Sequence, residues 1–161
     1  MILALSLGGC STIAGIIAGP DRVAPENPKR VGPAILVAAG RSAGGDYRGW
    51  VCRTNDGMTC LDVSVNGGGG GSCGSDMTVG LSVSSGTGMV TTVSGGVASP
   101  DAVTVVVHSD DPDVTAPVSG AAEAIAPGVK FFVAVLPEGA TPTTVDVLDA
   151  NRAVIQTLSA G

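Results

Sequence analysis

The stretch that decides the fold is Trp50–Gly74, WVCRTNDGMTCLDVSVNGGGGGSCG. It contains two runs of strand-like composition on either side of Asp56-Gly57, and it ends in five glycines and a cysteine. Asp-Gly between two strands is a strong signal for a two-residue hairpin turn, because a type I′ turn needs positive φ at both central residues. The stretch therefore predicts a β-hairpin that is followed by a glycine-rich loop.

The alternation of side chains indicates the register of this hairpin. Residues 61–65, LDVSV, alternate between apolar and polar, which is the pattern of a half-buried strand. We favour the two-residue turn, which pairs Cys52 with Leu61 and keeps Trp50 on the apolar face. A three-residue loop would instead place Cys52 opposite Cys60.

The cysteines of this stretch predict a disulfide. Five glycines at 67–71 lose much conformational entropy on ordering, so the segment is expected to be a flexible connection unless it is tied down. A Cys60–Cys73 bond would close the loop and contribute about 3 kcal/mol in the chain-entropy model. We favour this pairing, with Cys52 as a buried thiol, and keep Cys52–Cys60 as the alternative, because connectivity does not follow from sequence alone.

The composition of the chain favours one class of fold and argues against one class of partner. Only 14% of the 161 residues are charged, 25 are glycines, and the aromatic residues are one Trp, one Tyr and two Phe. The abundant valine and threonine favour strands over helices. The net charge of −6 and the lack of a basic patch argue against nucleic acid as a partner.

The first twenty residues contain no charge and predict a membrane attachment. In one interpretation, residues 7–11, LGGCS, form a lipoprotein signal in which Cys10 is lipidated, although a basic stretch before it is lacking. In the other, which we favour slightly, residues 2–19 form a transmembrane helix, which needs about 20 apolar residues. Both interpretations place the rest of the chain on the extracytoplasmic face of the cell membrane. Residues 21–33 have three prolines and mixed charge, which predicts an extended linker.

Residues 34–161 contain many short strand-like runs with turn signals between them. The strongest runs are Ala102–His108, AVTVVVH, and Val129–Leu136, VKFFVAVL. Val114–Val118 predicts a short edge strand, because Pro117 cannot donate to a ladder. Strands at spacings of about 8–12 residues predict an all-β domain, a small antiparallel β-sandwich of immunoglobulin-like or related type.

Few residues in the chain suggest chemistry. His108 is the single histidine and precedes Ser109 and Asp110, but neighbours at one strand end cannot adopt the geometry of a catalytic triad. Asp110, Asp111 and Asp113 form a weak candidate calcium loop, for which an ordinary solvated turn is the default interpretation. We predict no catalytic residue and no cofactor.

The motifs of the chain resemble those of small exported, membrane-anchored actinobacterial proteins of unknown function. The similarity spans about residues 36–158, and its most specific elements are Trp50, Asp56-Gly57, Cys60-Leu61 and residues 69–74, GGGSCG. The resemblance implies an extracytoplasmic all-β domain behind an N-terminal membrane segment, with Cys60 and Cys73 paired. It implies no activity.

Three hypotheses for function follow. The first is a non-enzymatic, membrane-tethered extracytoplasmic domain that binds a protein or a cell-wall polymer. The second is the sensor or regulatory ectodomain of a longer membrane protein. The third is a hydrolase, which would need His108 in a cleft beside a serine and a carboxylate that come from other strands.

Overall fold

The computed structural model describes residues 28–42, 44–75, 81–86 and 89–160, and these residues form β-strands and turns without an α-helix. The predicted all-β class is therefore confirmed. Cys10, the uncharged N-terminal stretch and residues 21–27 of the predicted linker lie outside the described residues. Within the described part, no helix is long and apolar enough to cross a membrane.

The described residues form eleven strands. They are β1 Arg30–Ser42, β2 Gly45–Thr54, β3 Thr59–Val65, β4 Gly68–Gly74, β5 Leu81–Gly86, β6 Met89–Val97, β7 Thr104–Ser109, β8 Val114–Pro117, β9 Lys130–Val135, β10 Pro142–Leu148 and β11 Val154–Ser159. β1 begins inside the segment that was predicted as linker.

The strands form three antiparallel sheets. The first is the meander β1-β2-β3-β4, the second has the order β5-β6-β9, and the third has the order β11-β10-β7-β8. The second and third sheets together make a seven-stranded, three-plus-four arrangement of the kind that immunoglobulin-like sandwiches use. The meander is an additional layer on this sandwich.

β9 lies between two hydrophobic cores. Phe132, Ala134 and Leu136 belong to the core that β9 shares with the third sheet. Phe131 and Val133 belong to the other core, which β9 shares with the meander. A strand that is buried on both faces has a continuous apolar sequence, which explains the run FFVAVL over residues 131–136.

The hairpin between β2 and β3 has the alternative register, so the predicted two-residue turn was wrong. Trp50 pairs with Asp62, and Cys52 pairs with Cys60. The loop has three residues: the Gly57 amide donates to the Thr54 carbonyl at 3.0 Å, and Gly57 has a φ of 83°. This is a type I turn that ends in a left-handed glycine, the commonest form of three-residue hairpin loop.

The hydrogen bonds of Thr54 explain why the hairpin has a three-residue loop. Its hydroxyl accepts a hydrogen bond from the Met58 amide at 3.1 Å and also donates to the Asp56 carboxylate. These bonds satisfy the turn with Asp56 in an ordinary conformation, because positive φ is confined to Gly57 within this loop. An Asp-Gly pair is compatible with both turn types, and the hydrogen bonds of Thr54 select the three-residue loop.

The change of register moves Trp50 and Cys52 to the other face of the meander. Val51 and Leu61 contact the core beneath β9, so Trp50 and Cys52 point away from that core. Both are nevertheless buried, with 6% and 0% of their surface exposed. The prediction that Cys52 is buried is confirmed, whereas its assignment to the face of Leu61 is wrong.

The glycine run forms strand β4 rather than the predicted flexible connection. Asn66 and Gly67 have φ of 50° and 82°, so the two-residue turn with positive φ at both positions lies here, between β3 and β4. β4 then pairs along β3, with Cys73 opposite Cys60. These two cysteines form a disulfide, as we predicted.

Candidate functional site

The candidate site lies where the two sheets of the sandwich meet along β8 and β9. At one end of this seam, the Ser119 amide donates to the Phe131 carbonyl and the Phe131 amide donates to the Ser119 carbonyl, both at 2.8 Å. This is a closed antiparallel pair. It joins the second and third sheets at a single point.

Pro117 ends this ladder after one pair. Continuing the Ser119–Phe131 register by two residues would place Pro117 opposite Val133. Proline has no amide hydrogen, so it cannot donate to the Val133 carbonyl. β8 is therefore a short edge strand that stops at Pro117, as predicted.

The backbone of β9 beyond this point faces the seam. The Leu136 amide donates to the carbonyl of Thr91 in β6 at 2.8 Å. Phe131 bonds to Ser119 on the opposite side of β9. Because the direction of backbone groups alternates along a strand, Val133 and Val135 point the same way as Phe131. No described residue pairs with their amides or carbonyls on that side.

Both of these residues are almost fully buried. Val133 is 1% exposed and Val135 is 3% exposed. Buried backbone donors and acceptors are nearly always satisfied in proteins, by protein groups, by water or by a ligand. The edge of β9 therefore offers two donors and two acceptors to a molecule that enters the seam.

A groove of about 320 Å³ opens at this place. Its walls are the outer part of β8, the edge of β9 and the hairpin end of β1 and β2. The lining residues are Arg41, Ser42, Tyr47, Asp113, Val114, Thr115, Ala116, Val133, Ala134, Val135 and Pro137. A sheet edge with unpaired backbone groups beside pockets for alternate side chains is the arrangement that binds peptides by strand addition.

The rim of the groove is polar. Arg41 Nε donates to Asp46 Oδ1 at 2.8 Å, and both side chains are largely exposed. The hydrogen bond from Arg41, followed by its charge, lowers the pKa of Asp46. The pair keeps Arg41 at the mouth, while the apolar residues of β9 form the base.

A second polar cluster lies on the outer face of the third sheet. His108 Nδ1 is 2.9 Å from Asp113 Oδ2, and His108 Nε2 is 3.0 Å from Asp146 Oδ2. Thr157 donates its hydroxyl to the other oxygen of Asp146 at 2.6 Å. Hydrogen bonds to Asp146 and then to Asp113 raise the pKa of His108, since they favour the imidazolium.

This cluster lacks the geometry of a hydrolase. A general base needs one ring nitrogen free to take a proton from a nucleophile, and both nitrogens of His108 face carboxylates. Among the described residues, no serine or threonine hydroxyl forms a hydrogen bond with the ring. Asp146 is a partner that the sequence analysis did not identify, because nothing in the sequence shows that β7 and β10 are neighbours.

The three aspartates of the candidate calcium loop form hydrogen bonds with different partners. Asp113 bonds to His108, and Asp110 Oδ1 accepts the Thr141 amide at 2.6 Å. The Asp111 amide donates to Ser109 Oγ at 3.3 Å, which is a local turn. Over the described ranges, no three His, Cys, Asp or Glu side chains are grouped to hold a metal ion.

Buried Cys52 and partly buried Asp62 form a pair beside the disulfide. Cys52 Sγ lies 3.8 Å from Asp62 Oδ2. Burial, and then the charge of Asp62, raise the pKa of the Cys52 thiol. Burial also raises the pKa of Asp62. Both shifts favour the protonated forms of the two groups.

Comparison of the chain with protein-family models, with curated proteins and with solved structures finds no match.

Proposed function

We propose that the chain is a non-enzymatic, membrane-tethered extracytoplasmic domain that binds a ligand in the groove between β8 and β9. The observation that carries the proposal is the edge of β9, which no described residue pairs at Val133 and Val135, both buried in a groove that β8 does not close. An edge of this kind binds main-chain groups through hydrogen bonds.

The ligand that best fits this edge is an extended polypeptide segment. Each of Val133 and Val135 presents one amide and one carbonyl on the same side, which is the pattern that an added strand satisfies. The side chains of the added strand would alternate between the apolar base and the polar rim at Arg41. A cell-wall polymer, the other ligand class that we considered, has fewer regularly spaced amides.

The proposed location has two supports. The Cys60–Cys73 disulfide is of a kind that forms in oxidising compartments outside the cytoplasm. The uncharged stretch of residues 1–20 has the composition of a membrane helix or a lipoprotein signal. Together they favour a domain that is attached to the cell membrane and faces outwards.

The proposal is tested by binding of the fragment 28–161. The fragment is immobilised and exposed to a phage-displayed library of random peptides, and separately to purified cell-wall polymer. Thr115→Trp places a large side chain at the groove wall. Ala124→Trp is the matched control, because Ala124 is exposed and does not line the groove.

We expect enriched peptides to share an alternating apolar pattern and to bind Thr115→Trp at least tenfold more weakly than they bind Ala124→Trp. Enrichment of no peptide, or equal binding to the two variants, would contradict the proposed groove. Binding of the polymer that is insensitive to Thr115→Trp would place the ligand site elsewhere.

A sensor or regulatory ectodomain is the second candidate, and the thiol of Cys52 opposite the disulfide at Cys60 favours it. Such a domain would be encoded together with a cytoplasmic signalling part. Sequencing the DNA upstream of Met1 separates the candidates: an in-frame signalling domain supports the sensor, and a short basic stretch supports a lipoprotein.

A further inference from the structure

Three cysteines lie in one row across the meander. Cys52 of β2 pairs with Cys60 of β3, and Cys60 pairs with Cys73 of β4. Directly opposite residues of an antiparallel pair project to the same face, so the three side chains share one face of the sheet. The structure joins Cys60 to Cys73 and leaves Cys52 as a thiol.

The backbone also permits a bond between Cys52 and Cys60. The Thr54 amide donates to the Met58 carbonyl at 2.9 Å, so by alternation Cys52 and Cys60 form a hydrogen-bonded pair. The Cα atoms of such pairs are about 5.5 Å apart. Disulfides usually join Cα atoms at about 4.4–6.8 Å, which includes this separation.

We propose that Cys52 is an internal exchange thiol, which attacks Cys60 and moves the disulfide from Cys60–Cys73 to Cys52–Cys60. The Cys52 sulfur forms the new bond with the Cys60 sulfur, and the Cys60–Cys73 bond breaks. Cys73 leaves as a thiolate and takes a proton from solvent. One disulfide and one thiol are present before and after, so no external oxidant or reductant is required.

The order of the strands favours attack at Cys60. β3 lies between β2 and β4, so Cys52 approaches Cys60 from the side opposite the leaving sulfur of Cys73. Thiol–disulfide exchange proceeds by such substitution at one sulfur. Cys52 cannot bond directly to Cys73, because two strand spacings of about 4.8 Å separate them.

Asp62 is placed to accept the proton of Cys52. Its Oδ2 lies 3.8 Å from the sulfur, and Oδ1 occupies the space beside Gly71, where a Cβ would come within 2.2 Å of it. Gly71 therefore gives the carboxylate room beside the row of cysteines. Asp62 returns the proton to solvent once the exchange is complete.

The exchange changes whether β4 carries an accessible thiol. Cys52 and Cys60 are fully buried, whereas Cys73 is exposed. The bond therefore moves between a state that ties β4 to β3 and a state that leaves β4 with an accessible thiol. External thiol reagents report the second state through Cys73.

The test uses the full chain under native, non-reducing conditions with N-ethylmaleimide, followed by peptide mapping of disulfides and labelled cysteines. We expect label on Cys73 together with a Cys52–Cys60 bond, both increasing with time. Cys10 is assigned from its own peptide and does not interfere. Cys52→Ser is expected to reduce labelling of Cys73 at least tenfold.

Two results would overturn the proposal. In the first, Cys60–Cys73 remains the sole bond of the row and Cys73 is never labelled while the chain is folded. In the second, Cys73 is labelled equally in the Cys52→Ser variant, which would assign its release to reduction rather than to exchange.

Two single variants keep the test decisive if Cys52→Ser does not fold. After air oxidation, Cys73→Ser is expected to contain a Cys52–Cys60 bond, because its remaining cysteines of the row are on adjacent strands. Cys60→Ser is expected to contain no bond within the row. Absence of Cys52–Cys60 from oxidised Cys73→Ser would contradict the proposal.

Discussion

Ser119 and Phe131 exchange two backbone hydrogen bonds across the seam between the second and third sheets. Continuing this register by two residues would place Pro117, which has no amide hydrogen, opposite Val133. The missing amide of Pro117 accounts for the end of the ladder at this point, beyond which no described residue pairs with the outward amides and carbonyls of Val133 and Val135. This relationship leads to a direct prediction.

We expect Pro117→Ala to extend the ladder by one pair. The new amide at position 117 gains the Val133 carbonyl as an acceptor, a bond worth about 0.5–1.5 kcal/mol. In hydrogen exchange followed by NMR, this amide should be protected at least tenfold relative to an unstructured peptide. Pro112→Ala is the control, because residue 112 is exposed in a loop and its new amide should exchange freely. Equal exchange of both amides would show that β8 and β9 stay apart for another reason.

The close approach of the meander to β9 leads to a second prediction. A Cβ at Gly49 would come within 2.7 Å of Val133 Cγ2, so Gly49→Ala overpacks the interface between the layers. We expect a loss of about 1–3 kcal/mol in the free energy of unfolding, measured with denaturant. Gly70→Ala is the matched control, because nothing lies within 4 Å of its Cβ position. An unchanged stability of Gly49→Ala would mean that the layers are not packed tightly at this point.

The sequence was informative about the class of fold and about the disulfide, for physical reasons that can be named. The spacing of turn signals and the valine-rich runs are local properties, and they predicted an all-β chain correctly. The Cys60–Cys73 pairing followed from its position beside a glycine run. The register was predicted wrongly because Asp56-Gly57 fits both a two-residue and a three-residue loop, and the contacts of Thr54 decided the loop length.

The candidate site could not be predicted from the sequence. Its groove depends on the bridge between Ser119 and Phe131, and the polar cluster depends on His108 facing Asp146. Each relationship joins strands that are distant in the sequence. Periodicity shows which side chains share a face of one strand, but it does not show which strands are neighbours. Only the edge character of β8 had a local signal, in Pro117 itself.

The ion pairs of His108 predict a pH dependence of stability. Its pKa is raised in the folded protein, so its contribution is complete below the unfolded value of about 6.5 and is lost as pH rises through the folded value. The pKa of Asp146 is lowered, by Thr157 and then by His108, so its contribution is lost only as pH falls through that lowered value.

We therefore expect His108→Gln to cost more stability at pH 5.5 than at pH 8.5. Because the cluster is partly exposed, the difference between the two costs should be below about 1 kcal/mol. The measurement is the free energy of unfolding of both proteins at each pH. Thr144→Ser, on the same face of β10, is the control and should show no such difference. A larger cost at pH 8.5 would contradict the assignment of a charged imidazole.

The last prediction concerns the disulfide. The bond spans 13 residues, and loss of a cross-link of this size removes about 2–4 kcal/mol of stability, chiefly because the unfolded chain gains freedom. The double variant Cys60→Ser, Cys73→Ser should therefore unfold at a lower denaturant concentration than the oxidised native chain. Addition of dithiothreitol should lower the midpoint of the native chain and leave that of the double variant unchanged. If the reductant has no effect on the native chain, the bond does not contribute to its stability, and β4 is held by its backbone ladder alone.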